Sequence, residues 1–243
     1  MDSIAFLILL GLCIGSFLNV AIIRIPKGES ITLPASHCVH CLHSLRWYHN
    51  IPLFSWLFLR AKCSFCKAPI SFQYPLIEAL SAFLYVCAWL QTRDLFQALI
   101  VGTVFALLLS LSLIDLRYKA VPDALSLPAL FISFLASNPL ISFENGLMFM
   151  GGFALLRMSL SSVLKKEVMG EADIIIAGII GALLGIKLGL LAIYLSAVIA
   201  LLAFMLVRKK GYELPFIPFL SAGLFITWFW SDFALQLLGN LYE

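Results

Sequence analysis

The chain has 243 residues, of which 62% are hydrophobic and 12% charged, and its mean hydropathy is +1.03. Soluble domains carry about a quarter charged residues; here the few charges cluster between apolar runs, which excludes an ordinary soluble globular domain and indicates a polytopic membrane protein with lipid as its solvent. The net charge of +3 does not point to a nucleic-acid partner, because membrane loops need the same Lys and Arg.

Along the chain, apolar runs long enough to cross a bilayer as helix, about 17 to 25 residues, recur about eight times. They lie near 2–23, 74–91, 96–115, 123–138, 146–162, 173–186, 188–207 and 214–238. The predicted fold class is an all-α polytopic membrane protein of about eight transmembrane helices. The sixth and seventh runs form one apolar stretch from Asp173 to Val207, too long for a single span, and "GIKLG" (Gly185 to Gly189) reads as a tight turn between them. The first run has Asp2 where a secretory signal would be basic, and its positive charge, Arg24, follows the apolar stretch. It reads as a first spanning helix, not as a cleaved signal.

Lys and Arg in short loops are retained on the cytoplasmic side. Arg24, Lys27, Arg46, Arg60, Lys62 and Lys67 follow the first run, Arg117 and Lys119 the third, Lys165 and Lys166 the fifth, and Arg208, Lys209 and Lys210 the seventh. The opposite side holds Arg93 and Lys187, while Arg157 lies inside the fifth run. With an even number of spans, this bias puts both termini on the outer side.

Residues 24–73 break the apolar pattern, with all four His, several Pro and four of the six Cys. The segment reads as a small cytoplasmic domain between the first two spans, of a size that commonly needs a metal or disulfides for stability. Cys38-Val-His-Cys41 and Cys63-Ser-Phe-Cys66 are two C-x-x-C pairs separated by 21 residues. Such pairs bring four thiolates into a tetrahedron that suits zinc, whereas a reducing cytoplasm disfavours disulfides. His37, His40 and His43 flank the first pair and could replace a thiolate; Cys13 and Cys87 lie in apolar runs and read as packing residues. The division expected is 1–23 as first helix, 24–73 as a four-cysteine zinc-binding domain and 74–243 as the remaining bundle. No internal repeat or low-complexity tract is evident.

An ionisable residue in a span marks a site by default. "MGEADII" (Met169 to Ile175) puts Asp173 where the sixth run begins, while "LSLIDLRYKAVPDALSLP" puts Asp115 at the end of the third and Asp123 at the start of the fourth, after Pro122. The topology places all three near the cytoplasmic boundary. Two carboxylates within reach of one water share a proton, so that one can act as base and the other as acid. Plainer roles exist for each. Asp123 and Asp173 can cap helix N-termini, Asp115 can pair with Arg117 or Lys119, and Glu167 and Glu171 read as solvated loop residues.

Several segments together resemble the type IV prepilin peptidases, a family of bacterial membrane aspartyl proteases. They are "GSFLNVAIIRIP" (Gly15 to Pro26), the C-x-x-C pairs with "NIPLFSWLFLRAKCSFC" (Asn50 to Cys66), "ISFQYPLIEAL" with Pro75 and Glu78, "IDLRYKAVPDALSLP", and "PFIPFLSAG" (Pro215 to Gly223). The resemblance implies a catalytic pair formed by the Asp of the I-D segment and the Asp of a G-x-G-D motif, here Asp115 and Asp173, with Asp123 outside the pair. It implies cleavage of type IV prepilin or pseudopilin precursors after a short basic leader, just before an apolar helix, in the bacterial inner membrane, serving the type IV pilus or protein secretion. Many members also N-methylate the new terminus with S-adenosylmethionine. The chain departs from the pattern at Ala172 (the second glycine of G-x-G-D), Ile175 (usually Lys), Val39 (often Pro) and Ala82 (the glycine of ExxxG). Ala at 172 loses access to positive φ, so a different local backbone is expected there.

Two other classes account for some features. A proton- or cation-coupled transporter also has carboxylates facing a bundle interior and Gly-interrupted helices, but its acids are expected at the midplane and its halves repeated. A non-enzymatic anchor with a zinc domain needs one span, not about eight.

Overall fold

The computed structural model describes residues 2–165, 169–207 and 214–240, and these contain helices and no strand. The helices are α1 (Asp2–Arg24), α2 (Phe54–Phe58), α3 (Gln73–Thr92), α4 (Leu95–Tyr118), α5 (Asp123–Ser133), α6 (Pro139–Leu164), α7 (Glu171–Val207), α8 (Ile217–Phe229) and α9 (Ser231–Asn240). Five are long and apolar enough to cross a membrane: Ser3–Lys27, Gln73–Thr92, Leu95–Tyr118, Pro139–Leu164 and Glu171–Leu206. Lys166, Arg208, Lys209 and Lys210, which contribute to the charge asymmetry, and Glu167, read as a solvated loop residue, lie outside the described residues.

The helices depart from the apolar runs where local chemistry overrides composition. The run 123–138 is helical only over the 11 residues of α5, which contains Pro128, and Asn138 then accepts the Leu140 N–H at 3.1 Å to cap α6. With Pro139 in its first turn, α6 starts seven residues before the predicted 146, because a cap and an N-terminal proline outweigh the polar Glu144-Asn145 pair. The tight turn expected over Gly185 to Gly189 is narrower: α7 is interrupted at Gly185 alone, at φ 67° and ψ −170°, a conformation essentially confined to glycine. The last run divides at Trp230 into α8 and α9.

The chain forms two compact units, Met1–Ala106 and Leu107–Glu243. In the first, α1 lies against α3 at two glycines one turn apart. A Cβ on Gly11 would come 2.6 Å from Ala82 Cα, and one on Gly15 2.7 Å from Glu78 Cα. This is the small-residue spacing that lets helix backbones approach in lipid, where the hydrophobic effect does not drive association. In the second unit α7 packs against α5, α6 and α8. Gly181 meets the Asn145 carbonyl of α6, and Gly223 of α8 meets the Ala192 carbonyl of α7. Helices that approach this closely hold their ends in register, and Asp173 sits at one such end, the start of α7.

Candidate active site and metal centre

Asp115 belongs to the last turns of α4 and is 7% exposed. Its Oδ2 accepts the Ile217 N–H at 3.2 Å. Ile217 is the first residue of α8, whose N-terminal amides lack helical partners and carry partial positive charge. Three residues earlier in α4, Ser112 Oγ donates to Ser221 Oγ of α8 at 3.2 Å. These two bonds, about one turn apart on each helix, fix the end of α4 on the start of α8.

Asp173 occupies the first turn of α7 and is half-buried. Its Oδ2 accepts the Gly170 N–H at 3.1 Å, the backward half of a capping box, in which a third-position carboxylate holds the amide before the helix. The capping role open to Asp173 is therefore taken by one of its oxygens. Asp115 and Asp173, from different helices, lie close enough to interact electrostatically. Asp123 is exposed at the start of α5, a position suited to the helix dipole. Glu171, read as a solvated loop residue, instead begins α7 and pairs with Arg157 of α6 at 3.2 Å. Ala172, where a change of backbone is expected, is helical and adopts no positive φ, a conformation that alanine takes without strain.

In the other unit, Cys38, Cys41, Cys63 and Cys66 place their sulfurs within 4.8 Å of one another, and no histidine joins the cluster. Zn–S bonds of 2.3 Å in a tetrahedron put sulfurs about 3.8 Å apart, and Cys38 Sγ lies 3.8 Å from Cys66 Sγ. The donors therefore fit zinc. Each pair sits in the same turn. The Cys38 N–H reaches the His43 carbonyl at 3.0 Å and the Cys63 N–H the Ala68 carbonyl at 2.8 Å. The His40 and Phe65 N–H groups each point at the first sulfur of their pair, at 3.4 Å. Leu42 and Lys67 take matching positive φ of 57° and 60°, and short bridges join His37 to Ser44 and Lys62 to Pro69. Each feature recurs 25 residues on (38 to 63, 42 to 67, 44 to 69), a repeat that the sequence discloses only in its C-x-x-C pairs.

The Cys66 and Phe65 backbone N–H groups hold the Cys63 thiol down to about 6. Cys66, although the Ala68 N–H lowers it, is pushed up to about 11 by desolvation and by the thiols of Cys41, Cys63 and Cys38. A thiol that its neighbouring sulfurs keep from ionising, as they do Cys66, is what a divalent cation stabilises as thiolate. His43 lies tilted against Phe65 with ring centroids 3.7 Å apart and His37 bonds the Ala35 carbonyl, and neither belongs to the cluster.

Sequence reasoning gave Glu78 no role. It is 6% exposed, and its Oε2 accepts the Leu53 N–H at 2.7 Å. Leu53 is the centre of a γ-turn at φ 60° and ψ −50°, closed by the Phe54 N–H on the Pro52 carbonyl at 2.6 Å. A carboxylate in an apolar run was the available signal.

The site thus defines a class: a multi-pass helical membrane protein with a pair of interacting carboxylates at helix ends and a four-cysteine cluster in a short polar domain. Residues 9–92 match the Bacterial Peptidase A24 N-terminal domain and residues 100–205 the Type IV leader peptidase family. A prepilin leader peptidase/N-methyltransferase of Myxococcus xanthus is 40% identical over 190 residues, covering 74% of this chain but 55% of the relative. A type 4 prepilin-like proteins leader peptide-processing enzyme of Escherichia coli is 36% identical over 88% of each chain. A prepilin leader peptidase/N-methyltransferase of Stutzerimonas stutzeri is 34% identical over 93% of this chain and 90% of its own. No solved structure matches. The chain belongs to the type IV leader peptidase family.

Proposed function

We propose that the protein is a membrane aspartyl endopeptidase that removes the short basic leader of type IV prepilin or pseudopilin precursors, with Asp115 and Asp173 as its catalytic pair. The observation that carries this reading is the pair itself: two carboxylates from α4 and α7 that interact, each with one oxygen fixed on a helix-start N–H. Membership of the family supports the substrate class.

The chemistry follows from a shared proton. The ionised carboxylate takes a proton from water as the water oxygen attacks the scissile carbonyl carbon, while the protonated carboxyl gives its proton to the carbonyl oxygen. Collapse of the tetrahedral intermediate breaks the C–N bond and returns the hydroxyl proton to one carboxylate as the other protonates the leaving amine. The pair ends with one proton, as it began.

The Lys and Arg distribution supports a topology of eight spans in the bacterial inner membrane, with both termini periplasmic and the acids near the cytoplasmic boundary. A precursor with a basic leader and an apolar helix lies in the membrane as the enzyme does, its scissile bond at that boundary. Cys38, Cys41, Cys63 and Cys66 would hold a structural Zn2+ that sets the fold of the 24–73 domain. The relatives' names extend the proposal to N-methylation of the new terminus with S-adenosylmethionine. Glu78 and Ala82, the E and G positions of ExxxG, are both buried within the helix α3 and do not form a nucleoside-binding loop.

The test is cleavage of a pilin-like precursor by the purified protein in lipid. Asp115→Asn and Asp173→Asn are expected to lower kcat/KM by roughly 10³-fold or more, and Asp123→Asn by less than about 10-fold. Full activity in both of the first two variants would exclude the aspartyl mechanism. A product heavier by one methylene when S-adenosylmethionine is added tests methylation.

A further inference from the structure

The 24–73 segment keeps an apolar surface that the four-cysteine cluster does not cover. Phe58 is 81% exposed, Trp47 79%, Leu57 67%, Phe72 63% and Phe54 54%. Three of these lie in the five residues of α2, and Phe72 directly precedes α3. Two observations state what covers them.

The first is depth. Gln73–Thr92 is a 20-residue candidate span, and at 1.5 Å per residue it matches the bilayer's hydrocarbon core of about 30 Å, which puts Gln73 at the membrane boundary. Glu78 lies five residues further in, about 7 Å along the axis. Glu78 is buried, with its Cα against Gly15 of α1, so its carboxylate stays within a side-chain length of that depth. The Leu53 N–H bonded to it therefore lies at this depth, and α2 begins with the next residue. The chain is drawn down to the level at which interfacial helices lie, about 5–10 Å into the headgroup and acyl boundary. The second is charge. Residues 24–73 carry six basic side chains and one acidic, Glu29, and Arg60, Lys62 and Lys67, which follow α2, are exposed. Basic clusters at a membrane surface bind anionic lipid, and a cationic surface repels a basic leader.

We propose that residues 47–60 are an interfacial membrane insertion, in which Trp47, Phe54, Leu57 and Phe58 enter the headgroup layer of an anionic bilayer and Arg60, Lys62 and Lys67 contact its phosphates. The Glu78 bond to Leu53 holds the insertion at its depth. The four-cysteine domain is thereby laid on the membrane surface.

The experiment places a tryptophan at the most exposed position. Full-length Phe58→Trp is reconstituted in phosphatidylcholine vesicles with and without phosphatidylglycerol, and its added emission is read against acyl-brominated lipid and against soluble acrylamide. Leu90→Trp, in the spanning part of α3, is the control for lipid contact. The expected result is blue-shifted emission from Trp at 58, quenched about two-fold or more by brominated lipid and little by acrylamide. Combined Arg60→Gln, Lys62→Gln and Lys67→Gln should lessen that lipid quenching in phosphatidylglycerol and leave it unchanged in phosphatidylcholine. Water-like emission at 58, quenched by acrylamide while the Leu90→Trp control sees brominated lipid, would overturn the proposal. So would protection that arises only on adding a precursor peptide, which marks a protein-docking face, or only at high protein density, which marks self-association.

Discussion

Each aspartate of the proposed pair does two jobs, and the two can be separated by substitution. An Asn side-chain oxygen still accepts the Ile217 or Gly170 N–H, whereas Ala leaves that helix start uncapped. Asp115→Ala is therefore expected to unfold at lower temperature than Asp115→Asn, by the equivalent of about 1 kcal/mol, while the proposed mechanism has both lose cleavage; thermal denaturation in one detergent reads the difference. Glu78 is tested the same way. Glu78→Gln keeps an acceptor for Leu53, while Glu78→Ala leaves that half-buried amide without one, at a cost of about 1 kcal/mol. Hydrogen exchange at Leu53 and Phe54 should accelerate in the Ala variant alone. What the sequence disclosed at this scale was residue type and chain position: Asp115 and Asp173 stand out because acids are rare in apolar runs. Their amide partners were hidden, since Ile217 lies 102 residues from Asp115 and nothing local couples the two.

The helices show where composition is a good guide and where it is not. α1, α3 and α4 fall within a few residues of the predicted runs. α5 and α6 do not, because Asn138 and Pro139 set a boundary that hydropathy ignores. Interhelical contacts leave a fainter signal, the paired glycines. Gly11→Val is expected to wedge α1 from α3 at a cost of about 1–3 kcal/mol, seen as a lower unfolding temperature. The same crossing explains Ala82, whose Cα lies there; position 82 is a packing position that tolerates one methyl. Gly185→Ala should cost about 1–3 kcal/mol as well, because its φ of 67° with extended ψ excludes a Cβ. For the four-cysteine domain, Cys63→Ser removes the most buried of the four proposed zinc ligands. Metal content should fall from one zinc per chain toward none, and limited proteolysis within 24–73 should quicken.

For the molecule entire, charge carries more than shape. The basic residues cluster after alternate apolar runs, and the proposed topology rests on that pattern without drawing on any contact. The proposed periplasmic termini predict that alkaline phosphatase fused after Glu243 is active and a fluorescent protein at the same point is dark; the reverse would require an odd number of spans. The bond between Leu53 and Glu78 adds an order in time. A ribosome makes α1 first, then both cysteine turns, then α3. Leu53 thus leaves the exit tunnel 25 residues ahead of its acceptor and must wait, its γ-turn unsupported, until α3 has entered the lipid. The soluble-looking segment is in this sense the last part of its neighbourhood to settle, completed by a helix that the translocon delivers after it.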